Sequence, residues 1–139
     1  MSFPAFTASW AKAFREAINN DAGYREAGKG WTNPVALVVE PGDALPLGVA
    51  VQLDLRLGVC HSAASLTPTA VNAPFVLSGD LATWKEVVGG AVDPLAAVAR
   101  GKVKLTRGSL GTLMLNAKGA KALVACAQLV DTRWPDATS

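Results

Sequence analysis

The hydrophobic pattern of the chain predicts an α+β fold: a single, largely antiparallel sheet of about five strands, covered on one face by helices. Three observations carry this reading. A helical period opens the chain, a period of two fills its middle, and the helical period returns after residue 80 with one alternating strand set into it. The length of 139 residues suits one domain with a real core. No linker rich in Pro, Gly or Ser and no internal repeat divides it, so residues 1–139 are read as a single domain.

The first helix rests on Trp10, Ala13, Phe14, Ala17 and Ile18, the i, i+3, i+4, i+7, i+8 spacing of an amphipathic helix. Lys12, Arg15, Glu16 and Asn19 take the other face. Thr7 or Ser9 can cap its start, and Asn19-Asn20-Asp21 marks its end. A short helical piece at Tyr24–Ala27 follows, closed by Gly28 and Gly30. Four strand-like runs come next: Thr32–Glu40, Val49–Leu57, Cys60–Leu66 and Ala73–Ser78. In the second, Val49, Val51, Leu53, Leu55 and Leu57 alternate with Gln52, Asp54 and Arg56, as expected of a strand with one wet face. In the fourth, Phe75 and Leu77 share a side. Gly58 allows a tight turn, and the short connections favour antiparallel pairing.

Asp80 then opens a helix, DLATWKEVV, with Leu81, Trp84 and Val88 on one stripe, ended by Gly89-Gly90. Asp93-Pro94 restarts a short helix with an acidic cap and proline at its first position. That helix stops near Gly101. Lys102–Thr106 alternates again, with Val103 and Leu105 opposite Lys102 and Lys104. A last helix runs from about Ser109 to Val130, with a kink expected at Gly119.

Half of the residues are hydrophobic and 17% are charged, against about 25% charged in ordinary domains. The surplus apolar material either packs an Ala- and Val-rich core or lines a cavity. No segment reads as a membrane span: Leu57–Gly79 lacks charge but is broken by Ser, Thr, Asn and Pro. The N-terminal stretch has no basic region followed by an apolar one, so no secretory signal is expected. Cys60 and Cys126 are far apart in sequence and are read as free thiols in a reducing, cytoplasmic setting.

Few residue sets point to catalysis. The single histidine, His61, adjoins Cys60 in a strand, where neighbours point to opposite faces, so a thiolate–imidazole pair is not expected. One His and two distant Cys do not assemble a usual zinc site, and no metal or other cofactor is implied. Gly28-Lys29-Gly30 starts like a dinucleotide loop, but the third glycine is missing and a strand follows it rather than a helix. Glu40 and Asp43 flank a Pro-Gly turn and read as solvated. Between Pro94 and Val130 there are six basic residues and no acidic one: Arg100, Lys102, Lys104, Arg107, Lys118 and Lys121. They form either a solvated face or a docking face for an anionic membrane or acidic partner. Nucleic acid is not expected there, because the stretch has no aromatic side chain to stack on a base and the net charge is only +2.

The order of elements from Asp80 to Val130 resembles the sterol carrier protein 2 type of sterol-binding domain. The matching features are DLATWKEVVGG, Asp93-Pro94, the short helix ending at Arg100-Gly101, the strand Lys102-Val103-Lys104-Leu105-Thr106 and the closing helix. Over the first 80 residues the likeness is topological. Two departures stand out. Ala97, Val98 and Ala99 occupy a place where the family often carries bulky aromatics, which implies a wider or differently shaped cavity. The turn after the strand is Arg107-Gly108-Ser109 rather than Gly followed by Asp or Asn.

The resemblance implies a sheet and helices enclosing an apolar tunnel for sterols, acyl chains or similar lipids, without catalytic residues. The expected activity is binding and transfer of a lipid-like small molecule, by a monomer or homodimer that is not an enzyme. The alternative is an accessory or dimerisation module with the same fold and a filled core, acting through a partner enzyme. Candidate ligand contacts are Phe75, Leu77, Leu81, Trp84, Val88, Val98, Leu113 and Met114. For Trp84, Leu113 and Met114, plain core packing competes with a place on the tunnel wall. Arg100, Lys102, Lys104 and Arg107 are the candidates for transient contact with an anionic membrane.

Overall fold

The computed structural model describes residues 2–135. Helix α1 spans Ala8–Asn19 and buries Trp10, Ala11, Phe14 and Ile18, the stripe that the sequence marks. Thr7, not Ser9, caps it, its hydroxyl accepting from the Trp10 amide. Asp21 caps α2 (Ala22–Ala27), and Gly28 closes it. Five strands form one sheet: β2 (Val35–Val39), β3 (Val49–Arg56), β4 (Val59–Leu66), β5 (Phe75–Gly79) and β6 (Lys104–Arg107), in the spatial order β4-β3-β2-β5-β6. Three of the four pairings are antiparallel, but β2 and β5 run parallel. After the β3–β4 hairpin the chain crosses the sheet and places β5 on the far side of β2. Short connections alone do not reveal that crossing.

The central strand β2 is buried along its whole length, as a strand covered on both faces must be. On the helix side, Val35, Leu37, Val39, Val51, Leu53 and Leu55 join the main core. On the other side, Ala36, Val38, Ala50, Ala73 and Val76 make a smaller cluster, against which Val71 of the crossing segment packs. The second face is therefore wet only in part. The alternation in β3 also ends one residue early. Leu57 is 65% exposed and takes φ +55°, because it belongs to the turn with Gly58. The glycine is required there: at φ +81° a Cβ would collide with the Arg25 carbonyl.

Helix α3 (Leu81–Val88) is capped by Asp80, whose carboxylate accepts from the Thr83 amide at 2.8 Å. Asp93 caps α4 (Pro94–Ala99), accepting from the amides of Leu95 and Ala96, each at 3.0 Å. The closing helix is two helices, α5 (Leu110–Leu115) and α6 (Ala117–Gln128), and the break falls at Asn116 rather than Gly119. Asn116 leaves the helical region at φ −108°, ψ 31°, and its side-chain amide donates to the Thr112 carbonyl at 2.8 Å. Such back-bonding competes with the helix ladder. Gly119 instead lies within α6, where a Cβ would stand 3.3 Å from the Ala27 carbonyl oxygen. Its role is close packing of α6 on α2.

A second small sheet was not anticipated. Strand β1 (Phe3–Pro4) pairs in parallel with β7 (Thr132–Arg133). The pairing holds Phe6 against Trp10, the rings stacked at 4.8 Å and 7°, and the Trp10 indole donates to Thr132 Oγ1 at 2.8 Å. Among the described residues, no helix is long and apolar enough to cross a membrane.

Candidate functional site: an apolar cavity

A cavity opens between the inner face of the sheet and the helices. Leu37, Leu55 and Leu77 supply its sheet side. Phe14 of α1, Trp84, Val87 and Val88 of α3, and Leu123, Val124 and Ala127 of α6 supply its walls. Pro94, Leu95 and Val98 of α4 face Leu113 and Asn116 across it. Its atom-free space is about 880 Å³, open solvent at its mouth included. Phe14, Tyr24, Leu55, Val87 and Ala127 in its wall are almost fully buried, whereas Ala27, Pro94, Leu95, Val98, Asn116, Gly119 and Ala120 are half-buried.

Five of the eight residues singled out from the sequence stand on this cavity: Leu77, Trp84, Val88, Val98 and Leu113. Three do not. Phe75 packs edge-on against Trp31 at 4.8 Å, with its ring over Gly108, where a Cβ would stand 2.5 Å away. Leu81 packs half-buried on the core beyond the cavity. Met114 points outward, 39% exposed, because α5 turns only Leu113 inward. Trp84 is both core and wall: it is 3% exposed, and its indole donates to the Val38 carbonyl at 2.8 Å. Sequence reasoning missed Tyr24, Trp31, Leu95 and Leu123 as lining residues. Nothing in their local pattern separates a cavity wall from a core, since both are apolar and inward.

The lining carries little polarity. The indoles of Trp84 and Trp31 are satisfied internally, the latter by the Asn33 carbonyl at 2.6 Å. No charged side chain lines the cavity among the described residues. Near Tyr24 sit two free, buried thiols, Cys60 and Cys126. Burial pushes the Cys126 thiol up to about 12, helped by its hydrogen bond to the Asp21 carboxylate at 3.1 Å. Burial likewise raises Cys60 to about 11 and Tyr24 to about 12. All three are neutral at physiological pH, and a buried thiol held protonated is a poor nucleophile. The hydrogen bond from Cys126, then that from the Gly23 amide, holds Asp21 below its ordinary value. His61 is exposed on β4 while Cys60 is buried, so the two diverge as strand neighbours should.

Arg100, Lys102, Lys104 and Arg107 are all exposed, as are Lys118 and Lys121. Arg107 also donates to the Ala73 carbonyl at 3.1 Å. Lys121 lies 4.0 Å from Asp93, a solvated pair of little energetic weight. The sequence between Arg107 and Lys118 contains α5, whose Leu110, Met114 and Leu115 are exposed.

Solved structures share this architecture. A crystal structure of sterol carrier protein 2 superposes with a TM-score of 0.87 at 39% identity, over 91% of this chain and 98% of that one. The solution structure of a conserved hypothetical protein from Thermus thermophilus, described as a candidate sterol carrier protein, does so with a TM-score of 0.87 at 38% identity, over 96% and 94% of the two chains. Sterol carrier protein domain 2 of Helicoverpa armigera, at 16% identity and a TM-score of 0.58, shares the fold alone. The chain matches no protein-family model, and no curated protein is similar enough to count as a match. The α+β scaffold with its helix-covered sheet is thus the sterol-carrier architecture. At these identities and coverages the chain belongs to the sterol carrier protein 2 family.

Proposed function

We propose that the protein binds an apolar, lipid-like small molecule in the cavity and carries it between sites, without chemical transformation, as one single-domain unit in the cytoplasm. The observation that supports this most is the cavity itself, walled by aliphatic and aromatic side chains. Retention there would come from burial, about 0.8 kcal/mol for each CH₂ removed from water, and needs few polar contacts. One of the named solved structures is a sterol carrier protein, and similarity to it at 39% identity favours a related ligand class. Mass spectrometry of an organic extract of the purified protein should reveal a stoichiometric lipid-like molecule, or a fluorescent fatty acid should bind with micromolar affinity. No extractable lipid and no probe binding would favour the accessory module with a filled core.

Transfer would require contact with a donor membrane. Arg100, Lys102, Lys104 and Arg107 suit that contact, and exposed Leu110, Met114 and Leu115 lie on α5, whose inner side reaches the cavity through Leu113. Each basic side chain near an anionic surface contributes about 1 kcal/mol. Lipid transfer between vesicles should therefore quicken with anionic lipid, slow with salt, and fall for Lys102→Glu/Lys104→Glu. Equal transfer under all these conditions would reduce the basic face to a solvated one.

A further inference from the structure

Tyr24 is the only tyrosine in the chain. It lines the cavity and is 2% exposed. No described residue hydrogen-bonds its hydroxyl. Yet among the described residues every side-chain nitrogen or oxygen sealed from space has a partner. The Tyr24 hydroxyl is therefore not sealed, and the residue itself lines the cavity. The local backbone agrees. The hydroxyl end of the ring lies over Gly28, where a Cβ would stand 2.6 Å from Cζ and 2.9 Å from Oη, and Gly28 is itself part of the cavity wall. A glycine at the α2 cap thus lets the phenol end reach the cavity. A buried tyrosine hydroxyl ordinarily finds a partner, and leaving one unmet is costly.

From this we propose, building on the carrier reading, that Tyr24 seats the polar end of the ligand, and that this end is a neutral oxygen group, a hydroxyl or carbonyl. Charge decides for the neutral group. No cationic side chain lines the cavity among the described residues, so a carboxylate would arrive desolvated and unpaired, which is strongly unfavourable. Asp21, which caps the helix of Tyr24, is itself taken up by the buried Cys126 thiol. The other cavity-lining side chain with spare hydrogen-bonding capacity is Asn116. Its amide nitrogen is engaged by Thr112, and the residue is only half-buried. A phenol can donate to a carbonyl and both donate to and accept from a hydroxyl, so one residue serves either group.

The test compares 1-dodecanol, n-dodecane and dodecanoate, delivered from cyclodextrin, on the native protein and on Tyr24→Phe. The substitution keeps the ring and removes only the hydroxyl. Dodecanol should bind Tyr24→Phe roughly 3- to 10-fold more weakly, while dodecane binds both proteins alike. Dodecanoate should gain nothing from the hydroxyl. A second readout needs no variant: with ¹³Cζ-labelled tyrosine the native protein gives a single resonance, which should shift with dodecanol and stay in place with dodecane. Equal dodecanol affinity for both proteins and an unmoved resonance would overturn the inference while leaving the carrier reading intact. A dodecanoate affinity that falls as much as that of dodecanol would overturn the neutral head group. If none of the three binds the native protein, the carrier reading falls and the Tyr24 inference with it.

Discussion

At the scale of single residues, glycines and buried acids make the sharpest demands. Gly28 underlies the Tyr24 ring so closely that Gly28→Ala must displace it. Overpacking of this kind costs about 1–3 kcal/mol, and a chemical denaturation midpoint should fall accordingly, with weaker binding of the fluorescent probe. The acids act through pH. Tyr24, Cys60 and Cys126 are held up to about 12, 11 and 12, against ordinary values of 10.0, 9.0 and 9.0. Between those limits the unfolded chain has lost the protons that the folded chain keeps. Stability is then highest below about pH 9 and falls as pH rises towards 12. Denaturant titrations across that window should show the decline, and in the native protein the phenolate absorbance of the lone tyrosine should rise only near pH 12. A decline absent from about pH 9 to 12 would mean that these groups are less confined than the structure places them. The sequence does not single out Tyr24 as a site residue; it stands in a short helix with no partner of its own period.

At the scale of elements, the caps are the most legible part. Thr7, Asp80 and Asp93 each take the place that their local sequence announces, because an N-cap is decided by three or four adjacent residues. Asp93→Ala removes both acceptor contacts to α4 and should cost about 1 kcal/mol by equilibrium unfolding. Asp93→Asn, which retains an acceptor, should recover most of that loss. If both variants are equally unstable, the carboxylate acts through Lys121 or the helix dipole instead. The break between α5 and α6 precedes the glycine that propensity marks, because Asn116 ends the helix through its own side chain. The crossover that makes β2 and β5 parallel is not legible, since strand direction depends on a path across the sheet that no local pattern encodes. The same limit explains the candidate contacts. Leu77, Trp84, Val88, Val98 and Leu113 lie on stripes that happen to face the void, whereas Met114 is one residue further round a helix and faces out.

For the whole molecule, the cavity and the core are one cluster divided by a gap. Phe14, Tyr24, Trp84 and Leu55 belong to both. Trp84→Ala should therefore reduce stability by about 3–5 kcal/mol and weaken probe binding together. Emission of Trp84, isolated by replacing Trp10, Trp31 and Trp134, should respond to bound probe. Clear binding with silent emission would remove Trp84 from the contact set. Filling the gap should also tighten the fold as a whole. At a free probe concentration of about 100 times its dissociation constant, linkage adds about 2.7 kcal/mol. The melting temperature of a chain of this length should then rise on the order of 10 °C. A melting temperature indifferent to probe would point to binding on the outside.

The pairing of β1 with β7 has a consequence in time. Phe3 finds its partner at Thr132, so during translation β1 waits for a strand made much later. At ribosomal speeds of about 5–20 residues per second the wait is on the order of 10 s. Through that interval Phe6 and Trp10 lack the strand that fastens them. A nascent chain stalled before residue 132 would present these aromatics to whatever meets it first, and chaperone capture should end once β7 is free to pair with β1.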